Sequence, residues 1–168
     1  MDKIGTEADR AKLSPLEQLD ALYERPGFLI RRAHQIAQAL FEEEAEEVGL
    51  TPSQMGALTV VRALEPLDQI HLARAMGIDR STAGLVLANL AQNGYIDRTE
   101  DPADRRRRLI TITDEGRAAL QGVQPAAIAV KERLLAVLTP EEGDTLVRLL
   151  KKLVETMNTE VRTPLFRD

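Results

Sequence analysis

The chain of 168 residues contains no cysteine, no tryptophan and only two histidines. The absence of cysteine excludes disulfides, thiolate metal ligands and a thiol switch that an oxidant could operate. His34 and His71 cannot form a His/Cys zinc site without it, and a Cys–His nucleophile is excluded for the same reason. Aromatic residues make up only 3% of the chain. A core must therefore be built from leucine, alanine, valine and isoleucine, which favours packed helices over a β-sandwich.

Long apolar segments are also missing. No apolar run approaches the roughly 20 residues that a membrane-spanning helix needs, and the first residues lack the basic-then-apolar order of a signal peptide. No glycine-rich phosphate loop occurs. Glu141 and Glu142 fall in the first turn of a predicted helix, where the helix dipole accounts for them. These absences predict a cytoplasmic protein that is not an enzyme and that uses neither a metal nor a cofactor.

The charge balance is unusual for a protein that binds nucleic acid, because the formal net charge is −5. Residues 68–117 are neutral, with eight arginines and eight acidic residues. Four of these arginines are consecutive, Arg105 to Arg108, so the positive charge is concentrated locally. Such a cluster can still bind DNA, with a modest non-specific affinity that falls steeply with salt. A module that binds protein partners instead of DNA remains an alternative at this point.

Residues 95–113 have the pattern of a β-hairpin that leads into a helix. Asp101-Pro102 turns the chain, and Leu109 and Ile112 are expected to carry apolar side chains along the returning strand. The next helix is expected to open at Thr113 and the acidic pair that follows it. An isolated run of arginines is ordinarily a solvated loop. Its meaning here depends on the segment that precedes it.

That segment, residues 67–93, predicts two short helices joined by a tight corner. Gly77 stands where a left-handed C-cap is wanted, and Asp79 is a suitable N-cap for a second helix from about Arg80 to Gln92. The apolar residues expected to be buried are Ile70, Leu72, Ala73, Met76, Leu85, Val86, Leu90 and Ala91. Two helices around a glycine turn, followed by a β-wing, are typical of the winged helix-turn-helix, whose second helix enters the major groove of DNA.

Several segments resemble the MarR family of transcriptional regulators, and the resemblance covers nearly the whole chain. They are Gly49-Leu50-Thr51-Pro52-Ser53-Gln54, Leu72-Ala73, Met76-Gly77-Ile78-Asp79-Arg80-Ser81-Thr82, Asn93-Gly94-Tyr95-Ile96, Asp101-Pro102-Ala103-Asp104-Arg105-Arg106 and Leu109-Ile110-Thr111-Ile112-Thr113-Asp114-Glu115-Gly116. The resemblance implies an obligate homodimer that binds a pseudo-palindromic double-stranded DNA operator, usually as a repressor, and releases it when a small ligand or an oxidant acts. The absence of cysteine excludes thiol-based sensing.

The second helix is expected to supply the contacts to the bases. Arg80, Ser81, Thr82 and Gly84 are predicted to face the groove, with Asn89 two turns further on. Arg80 could read a guanine with two hydrogen bonds. Ordinary capping of the first helical turn accounts for Ser81 and Thr82 equally well.

The wing is expected to contact the DNA backbone and the minor groove. The resemblance implies that Arg106 is the wing-tip arginine that enters the minor groove, where a narrow A·T-rich tract attracts a cation. Asp104 is expected to hold a neighbouring arginine in place. Arg105, Arg107 and Arg108 alternate along the hairpin, so at least one is expected to face phosphate and another to face solvent.

The remaining sequence predicts further helices, at 13–23, 28–48, 52–64 and 114–138, the last of these kinked at Pro125, and a final helix that opens at Thr139. The final helix carries an apolar stripe formed by Leu146, Leu149, Leu150, Leu153, Val154 and Met157. Because the terminal helices have little of the central domain to cover, we interpret their stripes as a homodimer interface. The predicted fold is mainly α with a small β-wing. It forms one domain over 1–168, with a DNA-binding lobe at 53–113 and dimerisation helices at 13–48 and 114–160.

The resemblance implies an effector site between the dimerisation helices and the DNA-binding lobe, near residues 28–41, 53–63 and 114–130. Arg31, Arg32 and His34 could receive a carboxylate or phosphate there, although surface charges and a core or interface histidine are the more common roles for such residues. Residues 31–35, 68–69 and 79–82 are similar to the branch of the family that responds to aromatic acids or hydroxycinnamoyl-CoA thioesters. The expected effector is thus a small aromatic carboxylate or its CoA thioester.

Overall fold

A computed structural model describes residues 14–166. The fold is mainly helical with one small antiparallel sheet, as predicted. Its elements are α1 (Pro15–Tyr23), α2 (Pro26–Glu44), α3 (Pro52–Leu64), α4 (Gln69–Met76), α5 (Arg80–Gln92), β1 (Ile96–Glu100), β2 (Arg108–Ile112), α6 (Asp114–Gly122), α7 (Gln124–Leu135), α8 (Pro140–Met157) and a 3-10 turn (Asn158–Glu160). The chain forms two units, Met1–Ala39 and Leu40–Asp168. Leu13, the expected first residue of α1, lies outside the described residues.

Three helices begin with the same local arrangement, a capping hydroxyl followed by proline. Ser14, Thr51 and Thr139 each accept a hydrogen bond from the backbone N–H three residues later, and the acidic or amide side chain at that position accepts from the N–H of the cap. The proline in the first turn costs no hydrogen bond, because that N–H has no partner within a helix. Each cap stabilises its helix by about 1 kcal/mol. The starts of α1, α3 and α8 are therefore determined locally.

The hydrophobic core of the second unit packs α3, α4, α5 and the wing together with the ends of neighbouring helices. Its largest fully buried side chains are Leu58, Val61, Leu72, Leu87, Leu90, Ile110, Leu120 and Val123. Phe41, near the end of α2, and Val130, in α7, also belong to this cluster. The core thus connects the DNA-binding lobe to helices that precede and follow it in sequence.

Two apolar residues that were expected to be buried are exposed. Ile70 is 42% exposed and Leu85 is 67% exposed. The buried side of α5 is formed by Ala83, Val86, Leu87 and Leu90. The helical period places Leu85 on the opposite side. The expectation that Leu85 is buried was therefore wrong, because this residue lies about half a helical turn away from the buried side of α5.

In the wing, Ile110 and Ile112 are the buried apolar side chains of the returning strand. β1 and β2 pair antiparallel with Ile96 opposite Ile112 and Arg98 opposite Ile110. Ile110 is fully buried, whereas Leu109 is only half-buried. The side chains of a strand alternate between its two faces, and Ile110 is tied inward by a backbone hydrogen bond of 2.8 Å from its N–H to the carbonyl oxygen of Leu67.

The expected long helix over 114–138 is two helices. α6 ends at Gly122 and α7 begins at Gln124, with Val123 between them. Pro125 causes the break, because it has no N–H to donate and its ring would meet the carbonyl of Gln121 four residues earlier. Val123 keeps right-handed helical backbone angles, and its carbonyl accepts from the N–H of Ala127 at 3.2 Å, so the interruption is confined to the turn before the proline.

The helix expected over 28–48 is shifted toward the N-terminus. α2 begins at Pro26, which the first turn of a helix accommodates, and it ends at Glu44. The chain then turns to Gly49, whose φ of 69° lies in the left-handed region that favours glycine.

None of the helices within residues 14–166 combines the length and the hydrophobicity that a membrane-spanning helix requires.

Candidate nucleic-acid interface

The corner between α4 and α5 has the geometry of a helix-turn-helix. Gly77 caps α4 with a φ of 64°, and Asp79 caps α5. The Asp79 carboxylate accepts hydrogen bonds from the Ser81 hydroxyl, from the Thr82 hydroxyl at 2.6 Å and from the Thr82 N–H at 3.0 Å. These bonds, with the Ser81 hydroxyl first among them, hold the pKa of Asp79 well below its usual range. Both hydroxyls donate to Asp79, so toward solvent they offer acceptor lone pairs.

Gly84 does not lie on the exposed face of α5. A Cβ built on Gly84 would lie 3.0 Å from Nε2 of Gln69 in α4, and Gln69 donates from that nitrogen to the carbonyl of Arg80 at 2.8 Å. The absence of a side chain therefore allows α4 and α5 to approach closely. In this structure Gly84 is half-buried beside the Gln69 side chain, and its contact with DNA stays a prediction.

The exposed face of α5 carries Ser81, Leu85 and Asn89. The side chain of Asn89 donates to the carbonyl of Leu85 at 3.1 Å. Sequence reasoning missed Leu85 because an apolar residue in a helix ordinarily indicates core, and only the helical positions of its buried neighbours would have revealed the difference. The side chain of Arg80 is exposed at the start of the helix and has no hydrogen bond or ion pair within the described residues.

Arg107 is held by the lobe to which the wing is attached. Its Nε and Nη2 donate to Oδ2 of Asp68 at 3.0 and 2.6 Å. Asp68 is buried and caps α4, where its Oδ1 accepts from the N–H groups of Ile70 and His71. Burial alone would raise the pKa of Asp68, but the bonds from His71 and Arg107 outweigh it and lower the pKa to about 2. Arg107 therefore anchors the wing and is the arginine of the run least available to DNA.

The other charged residues of the wing differ in whether their side chains have a partner. Arg108 forms an exposed cross-strand ion pair of 3.2 Å with Glu100, which contributes little to stability. Asp104 accepts from the backbone N–H of Arg106 at 3.0 Å, and within the described residues it forms no ion pair with a guanidinium. Within residues 14–166 the side chains of Arg105 and Arg106 are exposed and form no ion pair. The wing tip thus presents two unpaired cations.

The base of the wing is closely fitted to the start of α6. The Thr113 hydroxyl donates to the carbonyl of Gly94 at 2.7 Å, and the Thr113 N–H donates to the carbonyl of Tyr95 at 3.1 Å. Gly116 is buried beneath this contact, and a Cβ built there would overlap the carbonyl oxygen of Tyr95. Only a glycine fits at this position without movement of the backbone. The orientation of the wing is therefore set by backbone contact with α6.

A half-buried glutamate gives the wing a second attachment. Glu65 accepts from the N–H of Ile112 at 2.7 Å and pairs with Arg117. Burial acts to raise the pKa of Glu65, but the Ile112 N–H and Arg117 together lower it below its ordinary value.

The three candidate effector residues lie in the part of α2 that belongs to the first unit. The guanidinium of Arg31 lies 5.1 Å from the centre of the Phe28 ring, and Arg32 donates to the side-chain oxygen of Gln35 at 3.0 Å. His34 is exposed, so it is not a core histidine in this chain. Among residues 14–166, no group of three or more His, Cys, Asp or Glu side chains is placed to hold a metal ion.

Comparison with known proteins agrees with this architecture. Residues 48–107 match the MarR family. A putative transcriptional regulatory protein for the hcr operon of Thauera aromatica is 35% identical over 128 residues, which cover 76% of this chain and 77% of that protein.

Two solved structures are similar over most of the chain. BpsR of Bordetella bronchiseptica, whose structure concerns the regulation of its DNA binding by 6-hydroxynicotinic acid, has a TM-score of 0.73 and 31% identity, covering 78% of this chain and 94% of that one. The transcriptional repressor CouR, bound to a 23-mer DNA duplex, has a TM-score of 0.74 and 28% identity, covering 84% of this chain and 99% of that one. With the winged helix-turn-helix described above, these matches show that the chain belongs to the MarR family of transcriptional regulators, which are not enzymes.

Proposed function

We propose that this protein is a repressor that binds a pseudo-palindromic operator as a homodimer and releases it when a small aromatic carboxylate, or its CoA thioester, binds. The observation that carries the DNA-binding role is the distribution of free cations on one lobe. Arg80 at the start of α5 and Arg105 and Arg106 at the wing tip are exposed and unpaired within the described residues, whereas Arg107 is bound to Asp68. Residues 68–117, which carry no net charge, thus still present positive charge at the two elements that a winged helix-turn-helix places against DNA.

The recognition helix and the wing have different tasks in this proposal. Arg80 reads a base edge, while Ser81 and Thr82 accept hydrogen bonds through the lone pairs that Asp79 leaves free. Leu85 and Asn89 extend the same face, and the exposed leucine is suited to contact a thymine methyl group. Arg105 and Arg106 reach the phosphates and the minor groove.

The proposed homodimer is supported by the exposed apolar stripe of α8. Leu146, Leu149, Leu150, Leu153, Val154 and Met157 are between 42% and 56% exposed in the single chain. A contiguous apolar patch on a helix of this length is typical of an interface that meets its own copy across a two-fold axis. The division into a DNA-binding lobe at 53–113 and dimerisation helices at 13–48 and 114–160 stays part of this proposal.

The effector class follows from the cations on α2 and from the relatives. Arg31 and Arg32 are exposed on adjacent positions beside apolar Leu29 and Ile30, which suits a ligand that is both anionic and aromatic. BpsR, whose DNA binding is regulated by 6-hydroxynicotinic acid, is similar to this chain, and that compound is an aromatic carboxylic acid. The ligand must bind one dimer geometry more tightly than the other, because a ligand with equal affinity for both shifts nothing.

The DNA-binding role is tested by specific retention of a palindromic fragment from the region upstream of the protein's own coding sequence in the presence of excess bulk competitor DNA. Arg80→Ala is expected to cost about 1–3 kcal/mol on that fragment and little on random DNA, because a bidentate base contact is lost. Arg106→Ala is expected to weaken both, because groove-shape and phosphate contacts position the protein on any sequence. Equal losses on the two DNAs for Arg80→Ala would contradict its base-reading role.

The neighbouring Arg107 provides the control for the wing. Arg107→Ala is expected to lower the free energy of unfolding, because the buried carboxylate of Asp68 loses its charged partner. Arg106→Ala should leave the free energy of unfolding unchanged, because its side chain has no partner within residues 14–166. Urea unfolding of the two variants distinguishes an arginine that anchors the wing from one that contacts DNA.

The release mechanism is tested by titrating the protein–DNA complex with 6-hydroxynicotinic acid, hydroxycinnamic acids and hydroxycinnamoyl-CoA thioesters. Arg31→Ala and Arg32→Ala are each expected to raise the concentration of the active compound needed for release by about tenfold, the effect of losing a charge-assisted hydrogen bond. Ligand-free DNA binding should remain nearly intact. Arg25→Ala, an exposed arginine just before the same helix, is the matched control. If Arg31→Ala and Arg32→Ala both respond like the parent protein, the effector does not use α2.

A further inference from the structure

The last described residues form a segment that returns to the helix-turn-helix. Residues 158–166, here called the C-terminal segment, follow α8 and contact the corner between α4 and α5. Thr163 donates from its hydroxyl to the carbonyl of Gly77 at 3.0 Å, and the N–H of Phe166 donates to the carbonyl of Arg74 at 3.1 Å. The side chain of Leu165 packs over Gly77, since a Cβ built on that glycine would lie 3.3 Å from it. The segment is therefore attached to the turn that precedes the recognition helix.

The C-terminal segment is also held in shape by its own hydrogen bonds. Asn158 accepts from the N–H of Leu165 at 2.7 Å and donates to the carbonyl of the same residue at 2.8 Å. These two hydrogen bonds between the Asn158 side chain and the backbone of Leu165 close residues 158–165 into a loop. The loop leaves Arg162 exposed, next to the threonine that bonds Gly77.

Arg162 lines a groove that continues the exposed surface of the recognition helix. The groove has a volume of about 550 Å³ and is lined by Gly77, Ile78, Asp79, Ser81, Thr82, Arg162 and Thr163. Asp79 is the acidic residue of this lining, but its carboxylate already accepts from Ser81 and Thr82. Within residues 14–166, Arg162 forms no ion pair or hydrogen bond with it. The guanidinium of Arg162 is therefore available to an external anion.

We propose that Arg162 binds a phosphate of the operator backbone beside the recognition helix, so that the C-terminal segment is a third DNA-contacting element in addition to α5 and the wing. This inference rests on the proposed function. In a helix-turn-helix the first helix crosses the DNA backbone while the start of the second enters the major groove. The corner between them consequently borders a phosphate strand, and Arg162 is attached to that corner. Phosphate contacts of this kind position a protein without reading its sequence.

The sequence alone does not reveal this arginine. Arg162 follows the predicted dimerisation helices, which extend to residue 160, and it lies 70 positions after the end of the recognition helix. Nothing in its sequence position therefore points to DNA. Only the return of the C-terminal segment to Gly77 brings it to the DNA-binding lobe.

The test uses the full chain and measures how affinity depends on salt. Arg162→Gln removes the charge and keeps a polar side chain, and Arg148→Gln, an exposed arginine on α8, is the control for net charge. Binding is measured from 50 to 200 mM salt to the upstream fragment and to a random duplex of the same length. Each phosphate contact contributes about 0.9 to the slope of log K against log salt. Because the proposed homodimer carries two copies of Arg162, Arg162→Gln is expected to lose about fivefold to tenfold in affinity at low salt on both DNAs and to reduce the slope by about 1.8, whereas Arg148→Gln should keep the slope of the parent.

A second variant separates the cation from its attachment. Thr163→Val removes the hydrogen bond to Gly77 while it keeps Arg162 and a similar side-chain shape, so a smaller loss of affinity is expected. A slope for Arg162→Gln equal to that of the parent would overturn the proposal, even if affinity fell, because a structural role changes affinity without releasing counterions. If the parent itself fails to retain the upstream fragment over random DNA, the operator-binding function fails, a result distinct from an unchanged slope in a parent that binds.

Discussion

Replacing Gly116 with alanine is expected to lower the free energy of unfolding by about 3 kcal/mol or more and to disorder the base of the wing. An added Cβ would overlap the carbonyl oxygen of Tyr95 and lie 2.9 Å from Cγ1 of Ile112. The Tyr95 carbonyl accepts from the N–H of Thr113 and belongs to the backbone, so it cannot move aside as a flexible side chain would. Overpacking against backbone is at the costly end of small-to-large substitutions. Urea unfolding followed by circular dichroism measures the effect.

Gly122 provides a control within the same helix. A Cβ on Gly122 would lie 3.8 Å from Cγ2 of Val48, an ordinary contact. Gly122→Ala should therefore be neutral or stabilise the protein by up to about 1 kcal/mol, because alanine restricts the unfolded chain more than glycine does. A Gly116→Ala protein as stable as Gly122→Ala would show that α6 does not approach the wing as closely as the structure indicates.

Replacing Leu153 with glutamate is expected to separate the proposed homodimer, with at least a 100-fold rise in its dissociation constant. Leu153 lies at the centre of the α8 stripe and is 46% exposed in the single chain. In a two-fold interface each substitution occurs twice, so two unpaired carboxylates would be buried, and each costs several kcal/mol. A loss of about 2.7 kcal/mol already corresponds to 100-fold. Sedimentation velocity over a range of concentrations measures the result.

Arg148→Glu tests whether the loss of the dimer depends on the position of the substitution on α8 or only on the added negative charge. Arg148 is exposed and lies about half a helical turn away from Leu153, on the other side of the helix. This larger change of charge should leave the dimer intact. If both variants remain dimeric at low concentration, the stripe is not the interface, and another surface must hold the two copies together.

The local signals in the sequence were sufficient for most element boundaries near the DNA-binding lobe. Thr51-Pro52, Asp79 and Thr113 each start a helix where they were expected to, and Gly77 ends one in the left-handed conformation. These signals work because a cap satisfies backbone groups within its own helical turn. The order of helix, glycine corner, helix and hairpin was enough to predict the winged helix-turn-helix.

The features that the sequence did not predict concern packing between different segments of the chain. Whether Leu109 or Ile110 faces inward depends on the pairing of Ile110 with Leu67. Whether Gly84 faces DNA depends on Gln69 in the preceding helix. The sequence left open which of Arg105, Arg107 and Arg108 faces DNA, and only the buried Asp68, 39 positions earlier, distinguishes Arg107 from its neighbours.

The sequence by itself determined that this is a cysteine-free, mainly helical chain with a winged helix-turn-helix, because those features depend on composition, caps and periodicity within short windows. Its motifs also resemble those of the MarR family. The tertiary structure decided which side chains remain available for recognition. Asp68 forms an ion pair with Arg107, and Asp79 accepts hydrogen bonds from the hydroxyls of Ser81 and Thr82. The C-terminal segment brings Arg162 to the corner before α5. The physical reason is that the availability of a charge depends on its partners in space, which the order of residues along the chain does not specify.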